Sequence, residues 1–344
     1  MAGLLILLAC VGLGVALRMH RLQIAIVAVV LMAGFITAHL LLPDTSPIIA
    51  MIGGSLPGWT ALLVICTLVA AYRKALHALR RRSPEPPQPG PKPLFNDAEL
   101  ERYARHILLR EIGGPGQAKL KRAKVLVIGA GGLGSSTLYY LAAAGVGTIG
   151  VIDDDVVSNS NLQRQILHRD ADIGMPKVHS AAANLLALNP YLTIKPYQRR
   201  LTQDDAQNMI AQYDLVVDGC DNFETRYIVN AACVATKTPL LSGAITQWEG
   251  QVSLYDPARN APCYACIFPE APAPGLAPTC AEAGVIGALP GIIGSMMASE
   301  TLKTLTGAGQ DLRGRLVIHD ALWGESRQIR VTRQKNCPIC GDCA

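Results

Sequence analysis

Three apolar stretches open the chain, at residues 2–17, 22–42 and 59–72. About 20 apolar residues are needed for a helix to cross a bilayer. The second stretch has that length; the first and third are shorter. A secretory signal would need a basic start, and residues 1–4 carry no basic side chain. Beyond residue 93 the pattern changes. Asn96 or Asp97 can cap a helix through Leu108, with Leu100, Tyr103 and Ile107 along one face. Residues 124–128 (KVLVI), 148–152 (TIGVI) and 215–217 (LVV) read as short buried strands. The first runs through a glycine turn into a helix-like SSTLYYLAAAG. The expected fold is α/β: a Rossmann-like, mostly parallel sheet with helices on both faces, preceded by transmembrane helices.

Composition sharpens this division. Charged residues make up 17% of the 344 residues, against about 25% in soluble domains. Residues 1–72 hold only Arg18, Arg21 and Asp44, and the rest of the chain is charged like an ordinary soluble body. A purely soluble protein, a disordered chain and a transporter embedded throughout are all excluded. Of the net charge of +5, residues 73–92 alone contribute +5, while residues 93–344 sum to −1. A near-neutral body offers no electrostatic footprint for nucleic acid. The basic turn at Arg18–Arg21, the Lys/Arg-free turn at residues 43–57 and the basic block after Tyr72 orient the spans, because cytoplasmic loops retain positive charge. Three spans then put the N-terminus outside and the body in the cytoplasm, as a multi-pass protein of the inner (plasma) membrane in contact with its lipid. The expected organisation is a membrane anchor over residues 1–72, a basic and proline-rich linker over 73–93, and a catalytic domain over 94–344.

Candidate chemistry sits at the strand ends. Gly129, Gly131, Gly132 and Gly134 form GAGGLG after the first strand. Glycines let backbone approach phosphates, and the helix N-terminus supplies N–H donors. Asp153 ends the second strand, placed to accept ribose hydroxyls. The same pattern serves as a tight turn without ligand, and it does not identify the nucleotide. Asn161, Arg164, Gln165 and Lys177 add cations and amides that hydride transfer does not need but nucleotidyl transfer does, since charge builds on phosphate oxygens. A solvated basic loop is the bland alternative. Asp221 follows the strand at 215–217, as a candidate Mg²⁺ ligand, as an N-cap of the helix starting at Asn222, or both. Cys263, Cys266, Cys337 and Cys340 form two CxxC pairs; paired knuckles supply the four thiolates of a closed, structural Zn²⁺ site. Cys343 lies just beyond and could substitute or be free. Cys220 reads as packing.

With RYARHILL (102–109), GAGGLG (129–134), DDDVVSNSNLQRQ (153–165), GMPK (174–177), GCDN (219–222) and the cysteine pairs in order, residues 95–341 resemble the ThiF/MoeB/HesA family of ubiquitin-activating-enzyme-like adenylyltransferases, most of all its molybdopterin-synthase-activating branch. The resemblance implies ATP-dependent adenylation of the C-terminal glycine of a small ubiquitin-fold sulfur-carrier protein. It implies that Asp153 holds ribose, that Asn161, Arg164, Gln165 and Lys177 grip the triphosphate, and that Asp221, beside Asn222, binds Mg²⁺. It implies a homodimer in which Arg105 reaches the neighbouring subunit's site. Cys280 is either a covalent thiol for the activated carrier or an unreactive loop residue. No rhodanese-like segment is recognisable, so sulfur is expected from a separate donor. Two other readings stand beside this one: activation of a non-protein carboxylate, and a non-catalytic membrane adaptor that binds nucleotide or a ubiquitin-fold partner.

Overall fold

A computed structural model describes residues 2–82, 93–272 and 283–341. Cys280, Cys343 and most of the proline-rich spacer lie outside the described residues. The chain divides into two compact units, Met1–Lys92 and Pro93–Ala344.

The first unit is helical: α1 (Ala2–Ala16), α2 (Arg21–Leu41), α3 (Pro47–Ile52) and α4 (Leu56–Arg82). Leu7, Met32, Ile52 and Trp59 form its small core, and the Trp59 indole donates to the Gly53 carbonyl at 3.0 Å. Most other large apolar side chains of α2 and α4, among them Leu22, Ile26, Val30, Val64, Ile65 and Leu68, point outward. Two segments, Leu22–Leu41 and Leu56–Leu79, are long and apolar enough to cross a membrane. At 15 residues, α1 spans only about 22 Å. Two features differ from expectation. The turn after α2 holds the short helix α3, capped by Ser46 and started by Pro47. The basic block at residues 73–82 is not linker but the last turns of α4, because its Ala, Leu, Lys and Arg are all good helix formers.

The second unit is built on an eight-stranded sheet: β1 (Lys124–Ile128), β2 (Thr148–Ile152), β3 (Thr193–Tyr197), β4 (Leu215–Asp218), β5 (Leu240–Ile245), β6 (Glu249–Tyr255), β7 (Arg315–Asp320) and β8 (Glu325–Arg330). Their order is β3-β2-β1-β4-β5-β6-β7-β8. β1 to β5 are parallel; β6, β7 and β8 join antiparallel. The helices are α5 (Asp97–Ile107), α6 (Gly113–Arg122), α7 (Gly132–Ala144), α8 (Lys177–Leu188), α9 (Gln203–Ile210), α10 (Phe223–Thr236), α11 (Tyr264–Ile267) and α12 (Ala288–Thr306).

Alternation along β1 shows why both faces are covered. Val125 and Val127 pack with Leu138 and Leu141 of α7, Leu185 of α8 and Ile293 and Met297 of α12. Leu126 and Ile128 point the other way, onto Ile210 of α9 and Val229 of α10. Successive strand residues face opposite sides, so a strand buried on both sides reads as a continuous apolar run. The α/β fold with a mostly parallel sheet and helices on both faces is therefore as expected, with three antiparallel strands added at one edge. The chain turns to β2 on one side of β1 and later to β4 on the other. That reversal opens a crevice at the carboxyl ends of the strands, where ligands bind in open α/β sheets.

Candidate functional site

A cavity of about 740 Å³ occupies this crevice. Gly129, Gly131 and Gly132 reach it from the end of β1, Asp153 from β2, and Gly219 to Asn222 from β4. Arg164, Gln165 and Lys177 approach it from the segment leading into α8.

The turn after β1 needs its glycines. Gly129 has φ +91°, the left-handed region where a side chain is strained. A Cβ on Gly134 would lie 2.0 Å from the Gly129 carbonyl oxygen, so α7 can cross the turn this closely only without one. The N-cap of α7, Gly131, supplies no side-chain hydrogen bond to the first turn. The amides of that turn remain available to an anion, with the helix dipole behind them. Asp153 accepts the Ala130 N–H at 2.7 Å and the Asp155 N–H at 2.8 Å, one on each oxygen. It thus ties the ends of β1 and β2 together while each oxygen keeps a lone pair.

Lys177 is buried and donates to Asp155 at 2.8 Å. Arg164 donates to the Ser160 carbonyl at 3.1 Å. Gln165 is buried, and its Oε1 has no partner among the described residues. A buried polar atom without a partner costs free energy until something supplies a hydrogen bond. Asp221 is exposed and lines the cavity. Asn222, not Asp221, caps α10, accepting the Thr225 N–H at 2.8 Å. The N-cap reading of Asp221 is corrected: Asn222 is one residue nearer the helix, and its carboxamide reaches the third N–H. Asn161, in a short 3-10 turn, and Arg105, exposed on α5, do not line this cavity.

Other cavity groups escaped the sequence reading. Arg199 and Arg200 follow β3 and line the cavity beside Asp153. Arg199 pairs with Asp205 and Arg200 with Asp154 at 2.7 Å. The signal was an Arg-Arg pair one residue beyond the end of β3. Beneath the Asp221 loop, Arg226 is fully buried and donates to Asp218 at 3.1 Å, Ser242 at 2.7 Å and the Gly243 carbonyl at 2.8 Å. It also holds the Cys220 carbonyl. Asp218 raises the Arg226 pKa against the opposing effect of burial. Cys220 is half-buried at the cavity wall; burial pushes its thiol well up, with the Asp218 charge adding to it, which favours the weakly nucleophilic protonated form.

The four cysteines of the CxxC pairs converge as expected. Their sulfurs lie within 4.8 Å of one another and all four residues are buried. Cys263 is 3.9 Å from Cys266 and 3.6 Å from Cys337, and Cys266 is 3.4 Å from Cys340. A tetrahedron with Zn–S of about 2.3 Å has edges near 3.8 Å, so the donor set fits zinc. Gln334 N–H points at the Cys266 sulfur at 3.4 Å, an outer contact of the kind that orients a thiolate ligand. Burial pushes the Cys263 thiol up and Cys340 up to about 11, a cost that a dication removes.

Comparison with known proteins agrees with this architecture. A profile of the ThiF family matches residues 103–339. The sulfur carrier protein adenylyltransferase of Thermus thermophilus is 49% identical over 248 residues, spanning 71% of this chain and 92% of that protein. The SAMP-activating enzyme E1 of Haloferax volcanii is 46% identical over 244 residues, 71% of this chain and 90% of that protein. Among solved structures, E. coli MccB with ATP superimposes with a TM-score of 0.62 at 23% identity, covering 73% of this chain and 77% of that one, a likeness of fold. The glycine turn, the crevice at the sheet reversal and the sequence match over residues 103–339 together place the chain in the ThiF family of adenylyltransferases.

Proposed function

We propose that the protein adenylates the C-terminal glycine carboxylate of a small ubiquitin-fold sulfur carrier at the expense of ATP. The observation that carries this reading is the convergence of the glycine turn, Asp153, Arg164, Gln165, Lys177 and Asp221 on one cavity at the sheet reversal. In this reading the α7 amides and Lys177 hold the phosphates, and Asp153 accepts a ribose hydroxyl. A carboxylate oxygen of the carrier attacks the α-phosphorus, and pyrophosphate leaves. Arg164, with the buried amide of Gln165, offsets the charge that builds during displacement. Asp221 is the residue that would hold Mg²⁺, which supplies further neutralisation of the phosphates. Cys263, Cys266, Cys337 and Cys340 would hold Zn²⁺ as a structural ion. Arg105, exposed on α5 and not among the residues that line its own chain's cavity, suits a role across a homodimer. The defining test is ATP–pyrophosphate exchange with and without a carrier ending in Gly-Gly. Exchange that requires the carrier supports the reading; exchange at full rate with no added protein substrate supports activation of a non-protein carboxylate instead.

The first helical unit anchors this catalytic body, in our reading, on the cytoplasmic face of a membrane. Both basic segments, Arg18 with Arg21 and the last turns of α4, flank apolar helices joined at the other end by a connection without Lys or Arg. Each basic side chain near an anionic leaflet gains about 1 kcal/mol. The expected result of proteolysis on sealed vesicles is cleavage of residues 93–344 in inside-out preparations and protection in right-side-out ones. The opposite pattern overturns the orientation.

A further inference from the structure

Behind the phosphate turn, two buried side chains, His168 and Ser180, lead to the partly exposed Asp172 in a hydrogen-bonded chain that the proposed reaction does not use. His168 is 6% exposed. Its Nε2 lies 2.8 Å from the Ala130 carbonyl oxygen and its Nδ1 lies 2.8 Å from Ser180 Oγ. Ser180 Oγ lies 2.7 Å from Asp172 Oδ2. The same Asp172 oxygen accepts the Arg169 N–H at 3.1 Å and an Asn184 amide hydrogen at 3.0 Å. Ala130 is fully buried in the middle of the glycine turn, and its N–H is held by Asp153. Ala130 is therefore clamped at both backbone groups, by Asp153 on the N–H and by His168 on the carbonyl.

Counting protons gives the chain a further property. The Ala130 carbonyl can only accept. Asp172 Oδ2, already taking two N–H donors, is an ionised acceptor, and those bonds, with that from Ser180, hold its carboxyl below the ordinary carboxylate range. Three links then need three hydrogens. Neutral His168 and Ser180 supply two. All three links are made only when His168 is an imidazolium that donates from both nitrogens. Burial, with the nearby Lys177 charge, pushes His168 below the ordinary imidazole range against the opposing Ala130 carbonyl, Asp153 and Asp172, so the second proton is taken up only in acid. When His168 is neutral, Ser180 must choose between His168 and Asp172, or the ring must take the tautomer that releases Ala130.

We infer that His168 is a positioning residue for nucleotide binding: its Nε2–H fixes the Ala130 carbonyl and so the turn that receives phosphate, and the His168–Ser180–Asp172 chain makes every bond only when it holds one extra proton. The inference rests on the ATP-binding part of the proposed function. It predicts opposite behaviour for two variants. His168→Leu removes the clamp. Ser180→Ala removes the competitor for Nδ1, so the neutral ring donates to Ala130 at any pH.

The test uses the full-length protein in lipid nanodiscs. Hydrogen–deuterium exchange of the ligand-free protein reads the turn directly, with no need for carrier or turnover. Exchange over residues 129–134 should be faster in His168→Leu and restored in His168→Gln, whose side-chain amide can also donate at that distance. ATP titration at pH 5 and pH 8 reads the proton, because burial holds His168 below its ordinary value. His168→Leu should bind ATP about tenfold more weakly at both values. Wild type should bind more tightly at pH 5 than at pH 8, by up to about tenfold beyond the ratio seen in Ser180→Ala, which is what one hydrogen bond contributes once the ring is protonated. The comparison between variants cancels ionisation of ATP itself. Unchanged exchange of the turn in His168→Leu overturns the clamp. An identical pH ratio in wild type and Ser180→Ala overturns the shared proton. A wild-type protein whose turn is protected but which shows no carrier-dependent pyrophosphate exchange would instead count against the adenylation reading.

Discussion

Replacing Arg164 or Asp221 by alanine should abolish measurable ATP–pyrophosphate exchange while leaving the fold intact. Both side chains line the cavity without belonging to a buried core. Arg164 spends one donor on the Ser160 carbonyl and has four others to offer. Asp221 is not used as the helix cap, which Asn222 supplies. Neither substitution opens a cavity or strands a buried charge, so the cost to stability should stay within about 0.5 kcal/mol. Removing one group that meets developing charge lowers a rate by about 10²–10³, and losing a metal-holding carboxylate should do at least as much. The contrast is Arg226→Met. There the guanidinium is buried against Asp218, and its removal leaves an uncompensated carboxylate, costing about 3–5 kcal/mol. Arg164→Ala and Asp221→Ala should thus lose activity at unchanged melting temperature, and Arg226→Met should lose melting temperature as well. Normal exchange in either of the first two variants removes that residue from the mechanism.

The same contrast explains how far the sequence could be read. The strand, turn, helix, strand, acid order around Gly129 to Gly134 and Asp153 was legible because it is local in sequence. The cysteine pairs were legible because metal spacing is local within each knuckle. His168, Ser180 and Asp172 were not, since nothing in their spacing shows that they meet beneath a turn some 40 residues earlier. Arg226 stood four residues after a helix cap in an amphipathic stretch, where a solvated charge is the ordinary expectation; only the buried end of β4 reveals its partner. The end of the third apolar stretch was misplaced for a different reason. Hydropathy falls at Tyr72, but helix propensity does not, so α4 runs on to Arg82. The antiparallel edge of β6, β7 and β8 was also missed: β8 is exposed throughout and carries no apolar run to announce it.

Chelation of one structural zinc should destabilise the catalytic unit, and Cys263→Ser should do the same permanently. The four sulfurs join two parts of the chain far apart in sequence. Cys263 and Cys266 flank and enter α11, whose Tyr264 packs into the core under β6, while Cys337 and Cys340 belong to the segment after β8. Besides the sulfurs, the apolar contacts of this junction among the described residues are Val234 and the partly buried Ile267, with Ala265 between the first pair. Gln334 bonds the Cys266 carbonyl at 2.6 Å, and Arg333 bonds the Cys340 carbonyl. Such a junction offers little apolar area for the hydrophobic effect, so a bound metal would supply most of its free energy. A loss of about 4 kcal/mol is at the upper end for a single substitution and is typical of a lost metal. In a unit of this size it lowers the melting temperature by roughly 8–16 °C. Elemental analysis of wild type should find one zinc per chain, Cys263→Ser should lose it, and Cys343→Ser should keep it. Because the site is remote from Arg164 and Asp221 in sequence and shares no residue with the nucleotide cavity, zinc-depleted protein still folded at low temperature should bind ATP. A wild-type protein that is metal-free yet fully stable would refute the zinc assignment, as would metal loss that follows Cys343 and not Cys263.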